Sequence, residues 1–310
     1  METIIILILA VALDLALGDP PNALHPVAWM GKVIAFLEKG GLKLHPAAQI
    51  LYGAAMTLFM LALFVVPVYF VFLYLGQVSL VANTILAAII LKFTFSIKGL
   101  RHAALKVKKL LRAKNLDETR FELRSLVSRD TTDLPEPMLV SSAVESVAEG
   151  AGDSLVAPLF YFIFFGIPGA IGYRVVNTMD SMIGYHGKYE YLGKFASRLD
   201  DILNFIPARL AALLLVFAAF IMKRRGRNAW QTALRQHGRT ESPNAGWPIA
   251  AMAGALDVQL EKPGYYKLGE ARVSLVPDTI GNSIKLFSIA ASVWIVICLT
   301  AEVFQFVVTT

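Results

Sequence analysis

The chain has 310 residues, of which 56% are apolar and only 17% charged, and its mean hydropathy is +0.59. That is more apolar material than a soluble domain of this length needs, and it comes in long blocks, which makes the class a polytopic membrane protein. A lone cysteine, Cys298, excludes a disulfide framework, a thiol pair and a zinc-type cysteine spacing. The net charge of +6 does not point to nucleic acid, because the cations flank apolar blocks and are not interleaved with stacking aromatics.

A membrane-crossing helix needs about 20 mainly apolar residues. The blocks near 3–17, 47–75, 78–97, 155–172, 208–222 and 284–308 therefore predict an all-α polytopic integral membrane protein with five to six membrane segments. The first block carries no positive n-region, contains Asp14 and lacks a small-residue cleavage site, so it reads as retained and not as a signal peptide. It is followed by "GDPPNALHPVAWMG", a proline-rich turn carrying Asp19 and His25; with no second histidine in a ligand spacing, no metal is assigned there.

Between Lys98 and Arg129 stand ten Lys or Arg against three acids, and "KRRGR" spans Lys223 to Arg227. The positive-inside rule puts both segments in the cytoplasm, and alternation outward adds 18–46 there and leaves both termini outside. From Gly99 to about Val127, apolar residues recur at helical intervals among charges, with "KNLDE" as the break between two amphipathic helices lying along the membrane or against the core. No internal repeat, low-complexity tract or linker divides the chain. The expected organisation is one membrane-embedded domain over 1–310, with cytoplasmic segments around 98–154 and 223–283.

"TTDLPEP" is turn chemistry, so a helix should begin near Met138. On it Glu145 and Glu149 are four apart, and Asp153 extends their face if the helix survives Gly150 and Gly152. Three carboxylates in one stripe repel unless cations join them. Magnesium takes one or two protein carboxylates and completes its shell with water and substrate phosphate, so the stripe suits a metal–nucleotide site. On spacing alone, a solvated acidic face capping the next span is the simpler reading.

Further polar clusters shift that balance. Residues 172–210 thread Asn177, Asp180, Arg198, Asp200, Asp201 and Arg209 through apolar sequence. Ionisable groups at membrane depth cost roughly 2.5–3.5 kcal/mol each, so they are usually paired, functional or both. An Arg198 network with Asp200 or Asp201 that merely joins helices is the structural alternative. "ESPNAGWPIAAMAGAL", residues 241 to 256, adds Ser242, Asn244 and Trp247 in a turn before a small-residue helix, a weak signal by itself.

Taken together, "DLALGDPPNALHPVAWMG", "SRDTTDL", "ESVAEGAGDSLVAPLFY", "VNTMDSMIGY", "ASRLDDILNFIPARL" and "SPNAGWPIAAMAGAL" resemble, in order, the successive motifs of the CbiB family, the adenosylcobinamide-phosphate synthases of cobalamin biosynthesis. "VPDTIGNSIKL" near 276–286 resembles that family's C-terminal signature. One departure stands out: the family pattern resembles Glu-Asn-x-x-Asp-Gly, whereas this chain has Glu149, Gly150, Ala151, Gly152, Asp153 and Ser154. The carboxylates remain, and one amide that could contact phosphate or substrate is lost.

The resemblance implies a multi-pass membrane enzyme that joins an amine, aminopropanol phosphate or a relative, to a propionate carboxylate of adenosylcobyric acid, using ATP and Mg2+ with the corrinoid as substrate. It further implies a place in the cell membrane with the active site on the cytoplasmic side, and small-molecule substrates, lipid and other cobalamin-pathway membrane proteins as partners. On that basis Glu145, Glu149 and Asp153 would hold magnesium. Arg129, oriented by Asp130, would neutralise phosphate. Asp180, Asp200 or Asp201 would ligate a second cation or accept the amine's proton, Arg198 and Arg209 would bind substrate phosphate or a corrin carboxylate, and Asn177, Ser242, Asn244, His25 and Asp19 would shape the pocket. No Walker-type or GxGxxG loop places the nucleotide.

Strict alternation sends 173–207 outside, away from ATP. The expectation that resolves this is that 155–172, interrupted by Pro158 and Pro168, and 208–222 do not both cross fully, but break or re-enter around a polar cavity. Two rivals are a secondary transporter of a small polar or anionic solute, which should show two related halves, and a structural subunit, which gives no reason for the acids.

Overall fold

The computed structural model describes residues 1–127 and 129–309, with the side chains of Asn22 and Thr309 left aside; Ser128, first residue of "SRDTTDL", lies outside it. The described chain is helical apart from one hairpin. In order run α1 (Glu2–Leu17), α2 (Pro26–Gly41), α3 (Pro46–Val78), α4 (Leu80–Lys92), α5 (Lys98–Arg112), α6 (Leu116–Leu123) and α7 (Glu136–Ala151). A π-helical turn (Gly152–Val156) leads to α8 (Ala157–Ile183), α9 (Lys194–Leu203), α10 (Phe205–Ile221), α11 (Gly226–Gln236) and α12 (Gly246–Leu256). The hairpin β1 (Gln259–Lys262) and β2 (Tyr266–Gly269) then precedes α13 (Pro277–Thr309).

Three helices are long and apolar enough to cross a bilayer: Pro46–Val78, Glu136–Ile183 and Pro277–Val308; a bent pair, Lys194–Leu203 with Phe205–Ile221, makes a fourth if counted as one span. The expected all-α membrane protein is therefore what the chain forms, with three or four such spans where the sequence suggested five to six. The difference lies in the blocks at 3–17 and 78–97, which give helices of only 16 and 13 residues. At 1.5 Å per residue these are roughly 24 and 20 Å long, short of a hydrocarbon core of about 30 Å.

The residues gather into two compact units built from separated stretches, Met1–Ser96 with Ala157–Leu203 and the chain from Ile297, and Ile97–Val156 with Asn204–Val296. Because neither unit is continuous in sequence, no linker announces them. In the first, α1 packs on α4, α2 on α8, and α3 on α8 and α9. The most apolar 18-residue window of α3 is only 6% buried, with Leu58, Phe59, Phe70 and Tyr74 exposed. An apolar face of that extent is the mark of contact with lipid. α8 is broken at Gly166, whose φ of 64° lies in the left-handed region, two residues before Pro168. The expected interruption of this block is present, and glycine is the residue that adopts such a φ without strain.

In the second unit α12 packs between α10, α11 and α7, and ten of its eleven residues are buried. Small side chains permit this: a Cβ at Gly254 would lie 2.8 Å from Ala229 Cα and Asn228 O of α11. α5 and α6 appear with a break at residues 113–115, matching the two amphipathic helices and the "KNLDE" interruption. Both pack on α7, which begins at Glu136, directly after Pro135 as the turn chemistry requires.

Candidate functional site

α7 carries the most densely bonded acidic cluster of the second unit. Glu145 is 1% exposed and takes three bonds: Arg129 Nη2 donates to Oε2 at 2.6 Å, Tyr266 Oη to the same oxygen at 2.7 Å, and Ser141 Oγ to Oε1 at 2.7 Å. Ser141 lies one helical turn before Glu145, so its hydroxyl reaches the carboxylate along the helix face. That hydroxyl also accepts from Glu261 N at 2.8 Å, which fastens β1 to α7.

The hairpin exists to make this reach possible. Lys262, Pro263, Gly264 and Tyr265 form its turn, with Tyr265 N donating to Lys262 O at 3.0 Å and Gly264 at φ 79°. This is type II chemistry, proline second and a positive-φ glycine third. Lys262 pairs across the hairpin with Tyr266. Burial works against charge on Arg129, but the Glu145 carboxylate beside it, by charge and hydrogen bond, raises its affinity for the proton above the ordinary guanidinium value. Burial and the negative charges of Glu145 and Glu149 push the Tyr266 hydroxyl far above its usual pKa, so it stays a donor.

Glu149, half-buried one turn beyond Glu145, differs from it in one respect: its carboxylate has no hydrogen bond or ion pair among the described residues. It feels the charges of Glu145, Asp153, Arg129 and Lys262. Asp153 falls within the π-helical turn and not on a continued α-helix, so it leaves the straight Glu145–Glu149 stripe that the spacing suggested. π turns widen the helix and recur at functional sites.

These positions decide which groups suit magnesium. No group of three His, Cys, Asp or Glu side chains is gathered for a metal among the described residues. Glu145 is already occupied by Arg129, Tyr266 and Ser141. Glu149 and its neighbour Asp153 fit an ion that takes one or two carboxylates and completes its shell with phosphate and water.

Asp130 does not orient Arg129, as the sequence suggested. It is exposed, and its Oδ1 accepts from Thr132 N at 2.9 Å and Thr132 Oγ1 at 2.6 Å, an Asx-type turn; Glu145 is what fixes the guanidinium. Elsewhere in the same unit three expected residues do come together. Arg209 Nη1 bonds Asn244 Oδ1 at 3.2 Å and Phe205 O at 2.5 Å, its guanidinium lies 3.7 Å over the Phe205 ring, and Ser242 Oγ accepts from Asn244 N at 3.2 Å.

The first unit holds the other expected residues in two groups. Asn177 Nδ2 is 3.5 Å from Asp200 Oδ1, and Arg174 Nη1 donates to Asn177 Oδ1 at 3.3 Å. Asp180 accepts from the Ser197 hydroxyl, within range of the Asp201 charge, and Arg198, largely exposed, pairs with Asp201 at 3.6 Å. The other group sits where α1 and α4 end. Lys92 Nζ lies 2.5 Å from Asp19 Oδ1 and 3.8 Å from Asp14 Oδ1, Ser96 Oγ donates to Asp19 Oδ2 at 2.6 Å, and His25 Nε2 is 3.9 Å from Asp19. Burial alone would raise the Asp19 pKa, but the His25, Lys92 and Ser96 side chains hold it well below the usual carboxylate range. Sequence reading missed Ser141, Lys92 and Tyr266. Only Tyr266 had a local signal, the Pro263–Gly264 turn between strand-forming residues.

The fold and these clusters define an all-α membrane protein with several bonded groups of polar side chains inside its two units. Its family follows from sequence comparison. A family model described as CobD/Cbib protein matches residues 7–296, and the chain belongs to that family. It is 53% identical to the cobalamin biosynthesis protein CobD of Dehalococcoides mccartyi, over 96% of each chain. It is 40% identical to the probable cobalamin biosynthesis protein CobD of Methanothermobacter thermautotrophicus, over 93% of this chain and 94% of the relative. With that of Pyrococcus furiosus it shares 42% identity over 84% and 85%. No solved structure matches.

Proposed function

We propose that this chain acts in cobalamin biosynthesis as an ATP- and magnesium-dependent ligase that joins aminopropanol phosphate, or a related amine, to a propionate carboxylate of adenosylcobyric acid. The observation that carries the reading is the family match over residues 7–296, with relatives named for cobalamin biosynthesis. The cluster on α7 supports it by supplying the residue types the chemistry needs.

An ionised carboxylate is a poor electrophile. In the proposed reaction its oxygen attacks the γ-phosphorus of ATP and ADP leaves; the amine nitrogen then attacks the acyl carbon, phosphate departs and the nitrogen gives up a proton. Catalysis of such transfers is mainly positioning and charge neutralisation. Arg129 is suited to this, since a guanidinium has five N–H donors, of which Glu145 takes one at 2.6 Å and the Glu261 carbonyl a second, long one at 3.5 Å. Glu145, Ser141 and Tyr266 hold that guanidinium in place, and Lys262 adds positive charge at the cluster. Glu149 and Asp153 would hold magnesium, which when bound neutralises charge on the phosphate oxygens. Asp180, Asp200 and Asp201 keep the proposed role of cation ligand or proton acceptor, and Arg209 with Asn244 that of substrate contact. The excess of cations between Lys98 and Arg129 supports a cell-membrane protein with this segment in the cytoplasm, where ATP is.

The test is an assay of purified protein with corrinoid acid labelled with 18O in its carboxylate, amine phosphate, ATP and Mg2+. Amide and ADP should form in equal amounts, with the label appearing in released phosphate. Amide formed without ATP consumption, or phosphate free of label, contradicts the reading.

A further inference from the structure

A cavity of about 310 Å3 in the second unit is used by nothing described so far, and an inference from it does not rest on the ligase reading. Arg224 and Arg225, just past the end of α10, line it together with Asp278 and Asn282 from the first turns of α13. α13 is a candidate membrane span and α10 is part of one when counted with α9, and an apolar helix end that carries arginine or aspartate suits the depth of the lipid headgroups.

The charges around it are unequal. Arg225 Nε lies 2.6 Å from Asp257 Oδ2, and Asp257 is itself held by Asn228 Nδ2 at 3.1 Å. Asp278 Oδ1 takes both Lys108 Nζ at 2.9 Å and Arg112 Nη2 at 2.5 Å. In the lining Arg224 and Arg225 match Asp257 and Asp278 in number, and the excess of positive charge comes from Lys108 and Arg112, which pair with Asp278 from outside the lining. The Arg224 guanidinium, half-buried, has no hydrogen bond or ion pair among the described residues, whereas Arg225 is exposed and engaged by Asp257. Guanidinium groups with uncommitted N–H donors are the side chains best matched to phosphate oxygens. The volume is at the low end of ligand pockets, roughly 300–1,000 Å3, which suits a phosphate ester and not a corrin ring.

We propose that this recess binds a phosphate group, carried by a small phosphate monoester or by the headgroup of an anionic phospholipid, with Arg224 and Arg225 as its donors. Arg224→Gln is the informative variant because it removes a charge and breaks no ion pair among the described residues. Arg227→Gln, an exposed cation that does not line the recess, is the control.

Full-length protein in neutral detergent is titrated with glycerol phosphate by calorimetry; in a second arm, nanodiscs of phosphatidylcholine with one-fifth phosphatidylglycerol are followed by native mass spectrometry for retained lipid. Binding in the first arm identifies a soluble monoester, and retention of phosphatidylglycerol in the second identifies a headgroup. In whichever arm wild type binds, Arg224→Gln should weaken binding about tenfold or more at unchanged thermal midpoint, and Arg227→Gln should leave it within twofold. Binding in neither arm, equal binding by wild type and Arg224→Gln, or equal loss in Arg227→Gln overturns the proposal.

Discussion

The Arg129–Glu145 cluster and the Lys92–Asp14–Asp19 cluster look alike in composition, each a cation set against two or more acids, yet they are completed differently. Around Lys92 both aspartates face the same ammonium, Asp14 is fully buried, and Asp19 has three side chains about it. Around Arg129, Glu145 is saturated while Glu149, one turn along, accepts nothing among the described residues. A buried acid paired with a cation of another element joins elements of the fold. A half-buried acid left over beside cations retains capacity for a ligand, and that contrast separates framework from site in this chain.

Substitution at Lys92 should expose the framework role most strongly. Lys92→Met leaves Asp14 buried without its cation, and breaking a buried pair from one side costs about 3–5 kcal/mol. The thermal midpoint in detergent should fall sharply, and Lys92→Met combined with Asp14→Asn should recover part of the loss; an unchanged midpoint in the single variant would erase the distinction. Tyr266→Phe should cost less, about 1.5 kcal/mol, because it removes one bond to a charged acceptor while Arg129 and Ser141 keep Glu145 satisfied. A fall in turnover larger than that stability loss explains would sharpen the comparison by placing Tyr266 nearer the chemistry. Least of all, Arg198→Gln should move the midpoint by under about 0.5 kcal/mol equivalent, since its partner Asp201 lies at 3.6 Å and the guanidinium is 74% exposed. A strong loss of activity there would return Arg198 to the substrate-binding role its sequence position suggested.

What the sequence disclosed and what it hid follow from the range of the interactions. The start of α7, the α5–α6 break, the interruption of α8 and the Arg198–Asp201 pair are local, and proline, glycine and helical spacing announce them. The Arg129–Glu145 pair joins residues 16 apart across a turn, and Tyr266 reaches Glu145 over 121 residues through a hairpin, so no spacing rule couples them. The number of long apolar helices differs from the expected five to six segments for a related reason: an apolar block marks a segment that leaves water, and how much of it forms one continuous helix is set by the fold, as in the 16-residue α1 and 13-residue α4. α12 is as apolar as a span and is buried in protein, whereas α3 faces outward along most of its apolar window. The Asp130 assignment failed because adjacency in sequence favours an Asp side chain bonding its own turn over one bonding the preceding arginine.

The central claim, that Glu149 is held open for a ligand and not for the fold, is tested most directly by measuring turnover and thermal midpoint together in Glu149→Gln. The account predicts that magnesium-dependent amide formation drops at least about 100-fold, near 2.7 kcal/mol of barrier, with the midpoint unchanged or raised. Full turnover in that variant, or loss of turnover that tracks a collapsed midpoint, would contradict it.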